Sequence, residues 1–190
     1  EGADVNIKDG YGDTPLHIAS SEGFLDVVKA LFQGGANINL SNNDEDTPMS
    51  RAASKGHVEV VRYLMKMGAD IDMADLNDLK PLHLAAENDY VDVVRALVEE
   101  GADVNIKDGY GDTPLHMASS KGFLDVVKAL YQGRANINQR NNEGDTPLSR
   151  AAHAGRVEVV KYLVEMGADI DLADNDNARP IDLAAEENHI

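Results

Sequence analysis

The sequence predicts an all-α fold, a solenoid of stacked helix-turn-helix units, and two periods in the chain support it. The six prolines lie at positions 15, 48, 81, 114, 147 and 180, so each is 33 residues from the next. Units of this length cannot bury an apolar face alone and therefore stack on their neighbours. A longer period is superimposed, because residues 1–91 match residues 100–190 at about seven positions in ten. We infer that a block of three units has been duplicated.

The first helix of each unit is predicted from its start. In "DTPLHIASSEG", residues 13–23, Thr14 can cap a helix whose first residue is Pro15. Proline suits that position because its missing N–H would have no partner in the helix anyway. His17 stands three residues after the cap, so its ring can reach back towards Thr14.

The second helix is predicted from its apolar spacing. Leu25, Val28 and Leu31 lie at i, i+3 and i+6, and Val27 lies beside them. This spacing indicates an apolar stripe along one face of a helix. We expect Gly35 to end the helix in the left-handed conformation.

An extended turn is predicted after the second helix. In "ADVNIKDGYGD", residues 102–112, Asp-Gly and Gly-Asp pairs surround Tyr110. Such pairs favour a tight, hairpin-like turn that leads to the next cap.

The phrase that starts each unit resembles a known family. It reads "TPLHIA" at 14, "TPMSRA" at 47, "KPLHLA" at 80, "TPLHMA" at 113, "TPLSRA" at 146 and "RPIDLA" at 179, and "GADVN", "GANIN" and "GADID" recur at the matching phase. Six copies in phase, over essentially the whole chain, resemble a tandem ankyrin-repeat array. The resemblance implies an all-α ankyrin-repeat solenoid in which antiparallel helix pairs stack and the turns project along one edge.

The repeat frame gives the predicted domain organisation. We expect one ankyrin-repeat domain over 1–190, with the tail of a preceding repeat and its turn at 1–13, repeats at 14–46, 47–79, 80–112, 113–145 and 146–178, and a partial repeat at 179–190. Neither end shows the polar capping repeat that solenoids need for solubility. Open terminal repeats are therefore expected to allow end-to-end self-association.

Several positions depart from the repeated pattern. Lys80 and Arg179 replace the capping Thr, so the inner helices that follow lose a side-chain acceptor worth ~1 kcal/mol each, and we expect these repeats to be softer. Arg134 replaces the helix-ending Gly, which predicts strain unless Gly133 takes the left-handed conformation instead. The His of the phrase, which in the family makes hydrogen bonds between repeats, is kept at 17, 83 and 116 and replaced at Ser50, Ser149 and Asp182.

Composition narrows the function. The formal net charge is −17, which would repel phosphate backbones and anionic lipid headgroups, so we expect no nucleic acid or membrane partner and a protein partner with a basic surface. There are no cysteines, which removes disulfides and thiolate metal sites and fits an intracellular, cytoplasmic protein. No apolar run approaches the roughly 18 residues of a membrane span.

Metal, cofactor and catalytic sites are not expected. Histidines 17, 83 and 116 are one repeat apart or more, which places neighbours about 8–10 Å from each other, whereas zinc ligands lie ~2.0–2.2 Å from one ion. His57 and His153 are interpreted as solvated. A calcium loop starting at Asp174 would need Gly at its sixth position and a carboxylate at its twelfth, where Arg179 and Ala185 stand. Every other candidate group recurs as a repeat position, so we expect no enzyme and no cofactor.

The predicted function is non-catalytic protein–protein recognition by the concave surface that the resemblance implies. Its residues are the turn tips and the exposed ends of the inner helices: Lys8, Tyr11, Asp13, Ser21, Glu22, Asn43, Asp44, Lys55, Leu76, Asn77, Leu79, Asn88, Tyr110, Asp112, Lys121, Asn142, Glu143 and His153. Tyr11, Tyr110, Leu76 and Leu79 are candidate anchors, or else pack against a neighbouring turn. Two alternatives stay open, an engineered or consensus-like array without a native partner and a structural spacer within a longer solenoid. The resemblance further implies candidate asparagine hydroxylation sites at Asn6, Asn39, Asn105 and Asn138.

Overall fold

The computed structural model describes residues 4–186, with the backbone alone for residues 184–186. The chain divides into two compact units, Glu1–Ala102 and Asp103–Ile190. The described residues form helices and turns without a strand, so the predicted all-α class is confirmed. The predicted single domain over 1–190 stays a prediction.

The first unit contains three helix pairs. They are α1 (Pro15–Ser21) with α2 (Leu25–Gln33), α3 (Pro48–Ser54) with α4 (Val58–Lys66), and α5 (Pro81–Glu87) with α6 (Val91–Glu99). The first helices of the pairs pack in the order α1, α3, α5, and the second helices in the order α2, α4, α6. The unit therefore has an inner and an outer layer of helices.

The second unit follows the same plan. Its helices are α7 (Pro114–Lys121), α8 (Leu124–Gln132), α9 (Pro147–His153), α10 (Val157–Glu165) and α11 (Pro180–Glu186). The inner helices pack in the order α7, α9, α11, and α8 packs on α10 in the outer layer.

The inner helices with a capping threonine begin with one of two related N-caps, which differ in whether a histidine or a serine completes them. The N–H of Thr14, which can only donate, reaches His17 Nδ1 at 3.1 Å, and the Thr14 hydroxyl lies 2.8 Å from the same nitrogen. Where serine replaces the histidine, the box is reciprocal: Thr47 N–H donates to Ser50 Oγ at 2.9 Å and Ser50 N–H donates to Thr47 Oγ1 at 3.1 Å. Either side chain satisfies the N–H of the capping residue.

The two inner helices without Thr caps keep this bond. Lys80 N–H donates to His83 Nδ1 at 3.2 Å. The Lys80 ammonium can only donate, so unlike a threonine hydroxyl it cannot accept a hydrogen bond from the first N–H groups of the helix. Arg179 N–H donates to Asp182 Oδ2 at 3.0 Å, and the guanidinium Nε lies 2.9 Å from the same oxygen. Because of these bonds to Arg179, the pKa of Asp182 lies below its ordinary value. The greater softness of these repeats stays a prediction.

Outer helices end as predicted, with a left-handed residue after the last turn. Gly35 has φ +91°, which confirms its predicted role. Arg134, at the equivalent position, has φ +70°, while Gly133 has φ −74°. Gly133 therefore does not take over, and the strain falls on Arg134.

The apolar stripe predicted for α2 is only partly buried. Val28 is fully buried, whereas Leu25 and Leu31 are partly exposed and Val27 is 47% exposed. The predicted helix with its apolar stripe is therefore present, and Val27 lies at the exposed edge of that stripe.

Candidate protein-binding surface

Each turn before an inner helix is held by one Asx side chain. Asp9 Oδ1 accepts the N–H groups of Tyr11 and Asp13, both at 2.9 Å. The Asp9 N–H donates to the Asp13 carbonyl at 3.0 Å, and Gly12 N–H donates to the Asp9 carbonyl at 3.0 Å. The same side-chain bonds recur in the other turns at Asn42, Asp75, Asp108, Asn141 and Asp174. The predicted tight turn is thus confirmed, and it is closed without strands among the described residues.

Neighbouring turns are linked through their backbones. In the first unit, Asn43 N–H donates to the Tyr11 carbonyl and Leu76 N–H to the Asp44 carbonyl, both at 3.1 Å. In the second unit, Asn142 N–H donates to the Tyr110 carbonyl at 3.1 Å and Asn175 N–H to the Glu143 carbonyl at 3.0 Å. The first two turn tips of each unit are therefore held within their own loops and also by the backbone of the next loop.

Gly12 is required by the approach of the next turn. It has φ +78°, and a Cβ on it would lie 2.5 Å from Asn43 Oδ1. The Asn43 amide donates to the Gly10 carbonyl at 3.3 Å and cannot withdraw without losing that bond. One repeat later Glu45 occupies the Gly12 position with φ +61°, and there the next turn carries Leu76 in place of asparagine.

Asp13 and Asp112 are buried, which corrects the prediction that they lie on the open surface. Asn42 Nδ2 donates to Asp13 Oδ1 at 2.7 Å, and Arg51 lies 3.4 Å from Asp13 Oδ2 and 3.2 Å from Asp46 Oδ2. The second unit repeats this arrangement around Asp112, with Asn141 at 2.7 Å and Arg150 at 3.2 Å. These carboxylates join one turn to the next.

Sequence reasoning missed the arginine of this network. Arg51 and Asp13 are 38 residues apart, as are Arg150 and Asp112. The separation is one 33-residue period plus five residues. A search for opposite charges at that spacing would have found the pair in both units.

The other predicted surface residues divide by exposure. Tyr11 and Tyr110 are each 77% exposed, and Leu76 is also exposed, so these three anchors do not pack against a neighbouring turn. Leu79 and Ser21 are half-buried. The remainder are exposed: Lys8, Glu22, Asn43, Asp44, Lys55, Asn77, Asn88, Lys121, Asn142, Glu143 and His153.

Buried histidines join the inner helices to the following turns. Because Nδ1 accepts from Thr14, the His17 proton sits on Nε2, which donates to the Asp46 carbonyl at 3.0 Å. His116 Nε2 makes the same bond to the Asp145 carbonyl at 3.1 Å. Burial lowers the pKa of both histidines, which keeps the rings neutral. The inter-repeat bond implied by the resemblance is therefore present at both positions.

His57 and His153, both interpreted as solvated from the sequence, differ from each other. His153 is exposed, as interpreted from the sequence, whereas His57 is partly buried and its Nε2 donates to the Ser21 carbonyl at 2.8 Å. The solvated interpretation of His57 is therefore wrong. A Cβ on Gly23 would lie 2.5 Å from the His57 ring, so this glycine provides the space for the contact.

The four candidate hydroxylation sites also join repeats. Asn6 Oδ1 accepts Asn37 N–H at 2.8 Å and Asn39 Oδ1 accepts Asp70 N–H at 3.0 Å. Asn105 and Asn138 make the equivalent bonds at 2.7 Å and 2.9 Å. Their modification stays a prediction.

Two other kinds of feature are absent from residues 4–186. That part of the chain contains no group of three or more His, Cys, Asp or Glu side chains placed to hold a metal ion. None of its helices is long and apolar enough to cross a bilayer.

Comparison with known proteins agrees with the periodicity and the geometry. No curated protein matches the chain. The family model for ankyrin repeats in three copies matches residues 1–75, 67–141 and 115–190. Ankyrin repeats are generally protein–protein interaction modules. Because these matches together cover the whole sequence, the chain belongs to the ankyrin-repeat family.

Proposed function

We propose that this chain is a non-catalytic scaffold that binds another protein through the turn tips and the exposed ends of its inner helices, the concave surface of an ankyrin array. The observation that carries the proposal is the fixed backbone of the tips, which nevertheless present large apolar side chains to solvent. Asn43 and Leu76 donate to the preceding tips, while the Tyr11 ring is 77% exposed. Rigid exposed aromatic residues favour binding because little conformational entropy is lost on association.

The charge of the tips supports a basic partner. Asp44, Glu45 and Asp78 are exposed and form no ion pair within residues 4–186. With a net charge of −17, the field around the chain would steer basic surfaces towards it and repel acidic ones. We expect anchoring by Tyr11 and Leu76 and orientation by the carboxylates.

Capture experiments with tip variants test this proposal. Immobilised wild-type chain, Tyr11→Ala and Leu76→Ala are exposed to a lysate from the native source, and the bound proteins are compared by quantitative mass spectrometry. Phe24→Ala is the matched control, because Phe24 is an exposed aromatic residue at the start of an outer helix. We expect the same proteins to be lost from both tip variants and kept by the control.

The charge requirement is tested with the captured partner. Glu45→Lys should weaken its binding, and added salt should weaken binding to the wild type, whereas Glu59→Lys on α4 should have a smaller effect. Equal capture by all variants would contradict the proposal. Absence of any specific partner would favour the spacer or the engineered array instead.

Self-association is a separate part of the proposal. The charge of −17 opposes contact between copies, so we expect a monomer in dilute solution and end-to-end association only at high concentration or high salt. Light scattering over a hundredfold concentration range measures this, and a constant monomer mass at high salt would contradict it.

A further inference from the structure

The same exposed tyrosine stands at the first turn tip of both units. Tyr11 and Tyr110 are 99 residues apart in the sequence, and each is 77% exposed. Their backbones are held alike, because Tyr11 N–H donates to Asp9 Oδ1 and Tyr110 N–H donates to Asp108 Oδ1, both at 2.9 Å. The two units therefore present one aromatic group in the same way.

The turn itself does not require tyrosine at this position. The equivalent residues of the other turns are Asp44, Asn77, Glu143 and Asp176. The N–H of each of these residues makes the same bond to the Asx side chain of its turn. A tyrosine that the turn does not need, with its ring in solvent at both tips, favours contact with a partner.

Some exposed residues near the tips and inner helices differ between the units, whereas others are kept. Three positions exposed in the first unit hold another kind of residue in the second: Glu22 becomes Lys121, Lys55 becomes Ala154 and Leu76 becomes Asn175. At the second tip the negative charge is kept, because Glu143 takes the place of Asp44 and both are exposed. An exposed aromatic ring and an exposed carboxylate are thus common to the two units.

The backbone holds that carboxylate on the tip next to each ring. In the first unit, Asn43 N–H donates to the Tyr11 carbonyl at 3.1 Å, and Asp44 comes next in the chain. The second unit repeats this bond at 3.1 Å between the equivalent residues, with Glu143 as the next residue. Ring and carboxylate therefore lie on adjacent tips whose backbones are joined.

Arginine is the side chain that fits an aromatic ring beside a carboxylate. Its planar guanidinium stacks on ring faces and can also bind a carboxylate through two parallel hydrogen bonds. The net charge of −17 would attract such a cation towards the chain. A lysine ammonium carries the same charge but lacks the planar group, so it fits the pair of tips less well.

We propose that each unit binds an arginine-containing segment of a partner protein, so that one chain holds two copies of the same segment. The guanidinium stacks on the ring of Tyr11 or Tyr110 and pairs with Asp44 or Glu143. This inference rests on the proposed function, since it uses the same turn tips, and it adds the chemistry of the partner and the number of sites.

The charges beside the two sites differ. Glu45 follows Asp44 and is exposed, whereas Gly144 follows Glu143. Glu143 Oε2 also lies 3.8 Å from Arg150 Nη1, so part of its charge is already balanced. Because an exposed ion pair adds only a little to affinity, we expect the first site to bind up to ~5-fold more tightly than the second.

A titration with a peptide probe tests the proposal on the whole chain. The probe is a blocked peptide in which four arginines alternate with glycines, and NMR follows the ring signals of Tyr11 and Tyr110 separately. Both rings should shift with saturable curves, which gives a dissociation constant for each site. The same peptide with lysine in place of arginine has an equal charge and should bind about 2-fold or more weakly, because it does not stack as a plane.

Variants that keep the charge of the chain locate the bound peptide. Tyr11→Ser should weaken binding at the first site by about 2–5-fold and leave the second site unchanged, and Tyr110→Ser should do the reverse. The amide signals of Asp44 and Glu143 report each site when its ring is removed. Phe24→Ser is the matched control, because Phe24 is an exposed aromatic residue away from the tips, and it should change neither site. If one tyrosine variant does not fold, the other still decides the result.

The outcomes separate failure of this inference from failure of the proposed function. Saturable shifts at only one of the two rings would overturn the second site. Equal binding of the lysine peptide, or insensitivity to both serine variants, would show that net charge alone attracts the peptide and would overturn arginine recognition. A partner that is captured from lysate, lost with Tyr11→Ala and fully kept with Tyr110→Ala would support the proposed function and overturn the two-site inference. If neither ring responds and capture is unchanged in both variants, both proposals are wrong.

Discussion

Helices α2 and α8 have the same sequence except at Phe32 and Tyr131, yet they are buried differently. In α8, Val126, Val127, Ala129 and Leu130 are buried, whereas in α2 only Val28 is buried. Val126 is fully buried and its counterpart Val27 is 47% exposed. The difference teaches that the sequence of an outer helix determines which of its faces is apolar. The neighbours of the helix determine how much of that apolar face is buried and so contributes to stability.

The repeats that contain these helices also differ in how the helix ends. Residues 14–46 end α2 with Gly35, and residues 113–145 end α8 with Arg134, both at positive φ. The outer helix of the second copy is therefore more deeply buried than that of the first, but it ends at a non-glycine residue with a strained backbone. Substitutions at paired positions can separate these two effects.

The largest expected effect comes from removing the same leucine in both copies. Leu130→Ala should destabilise the chain by about 3 kcal/mol, because Leu130 is fully buried and the substitution leaves a cavity. Leu31→Ala should cost clearly less, since Leu31 is partly exposed. Urea unfolding of both variants measures the difference, and equal losses would show that exposure does not separate the two copies.

Acid should destabilise both copies through their buried histidines. Burial lowers the pKa of His17 and His116 in the folded chain, so the unfolded chain binds more protons once the pH falls below the ordinary value of 6.5. Stability is therefore full above pH 6.5 and decreases as the pH falls towards the lowered values. Protonation of Nδ1 would also break its bonds to Thr14 or Thr113. Urea unfolding between pH 7.5 and 5.5 would measure the loss.

The matched control for the acid effect is present in the chain. Serine fills the histidine position at Ser50 and Ser149 and makes a cap that does not titrate. His17→Ser with His116→Ser should lower stability at neutral pH and flatten its pH dependence. An unchanged slope in this double variant would assign the acid effect to other groups.

The fold was predictable because its determinants are local and repeated. Thr14, Pro15 and His17 lie close together in the sequence, so the cap could be inferred from a short stretch. The left-handed Gly35 was likewise visible, because few other residues adopt that conformation without strain. Repetition at 33 residues then showed that the units stack.

The candidate surface was less predictable because it depends on contacts between repeats. Asp13 looks like a solvated turn residue until Arg51, 38 residues away, is brought to its carboxylate. His57 looks solvated until the Ser21 carbonyl is placed beside it. Similarly, the partial exposure of Val27 does not follow from the sequence of α2, because α8 has the same residues there and buries Val126.

Exchanging the residues that end α2 and α8 should produce opposite effects on stability. Arg134→Gly should stabilise the chain by up to ~1 kcal/mol, because glycine adopts positive φ without the clash of a Cβ. Gly35→Arg should destabilise it by a similar amount, since a Cβ there meets no atom within 4 Å and only backbone strain is added. Urea midpoints measure both, and a destabilised Arg134→Gly variant would show that the entropy of the added glycine exceeds the strain it relieves.

The smallest expected effect concerns a position at which both copies carry the same defect. The Ser20 and Ser119 hydroxyls are buried and have no hydrogen-bond partner within residues 4–186. Alanine stands at the equivalent positions 53, 86 and 152, so the helix packing accepts the smaller side chain. Ser119→Ala should therefore stabilise the chain by about 0.5–1 kcal/mol, because an unsatisfied buried hydroxyl is removed.

Ser20→Ala should give a similar gain, since Ser20 is also fully buried although α2 beside it is more exposed than α8. A gain at Ser119 but none at Ser20 would extend the difference between the two copies from the outer to the inner helices.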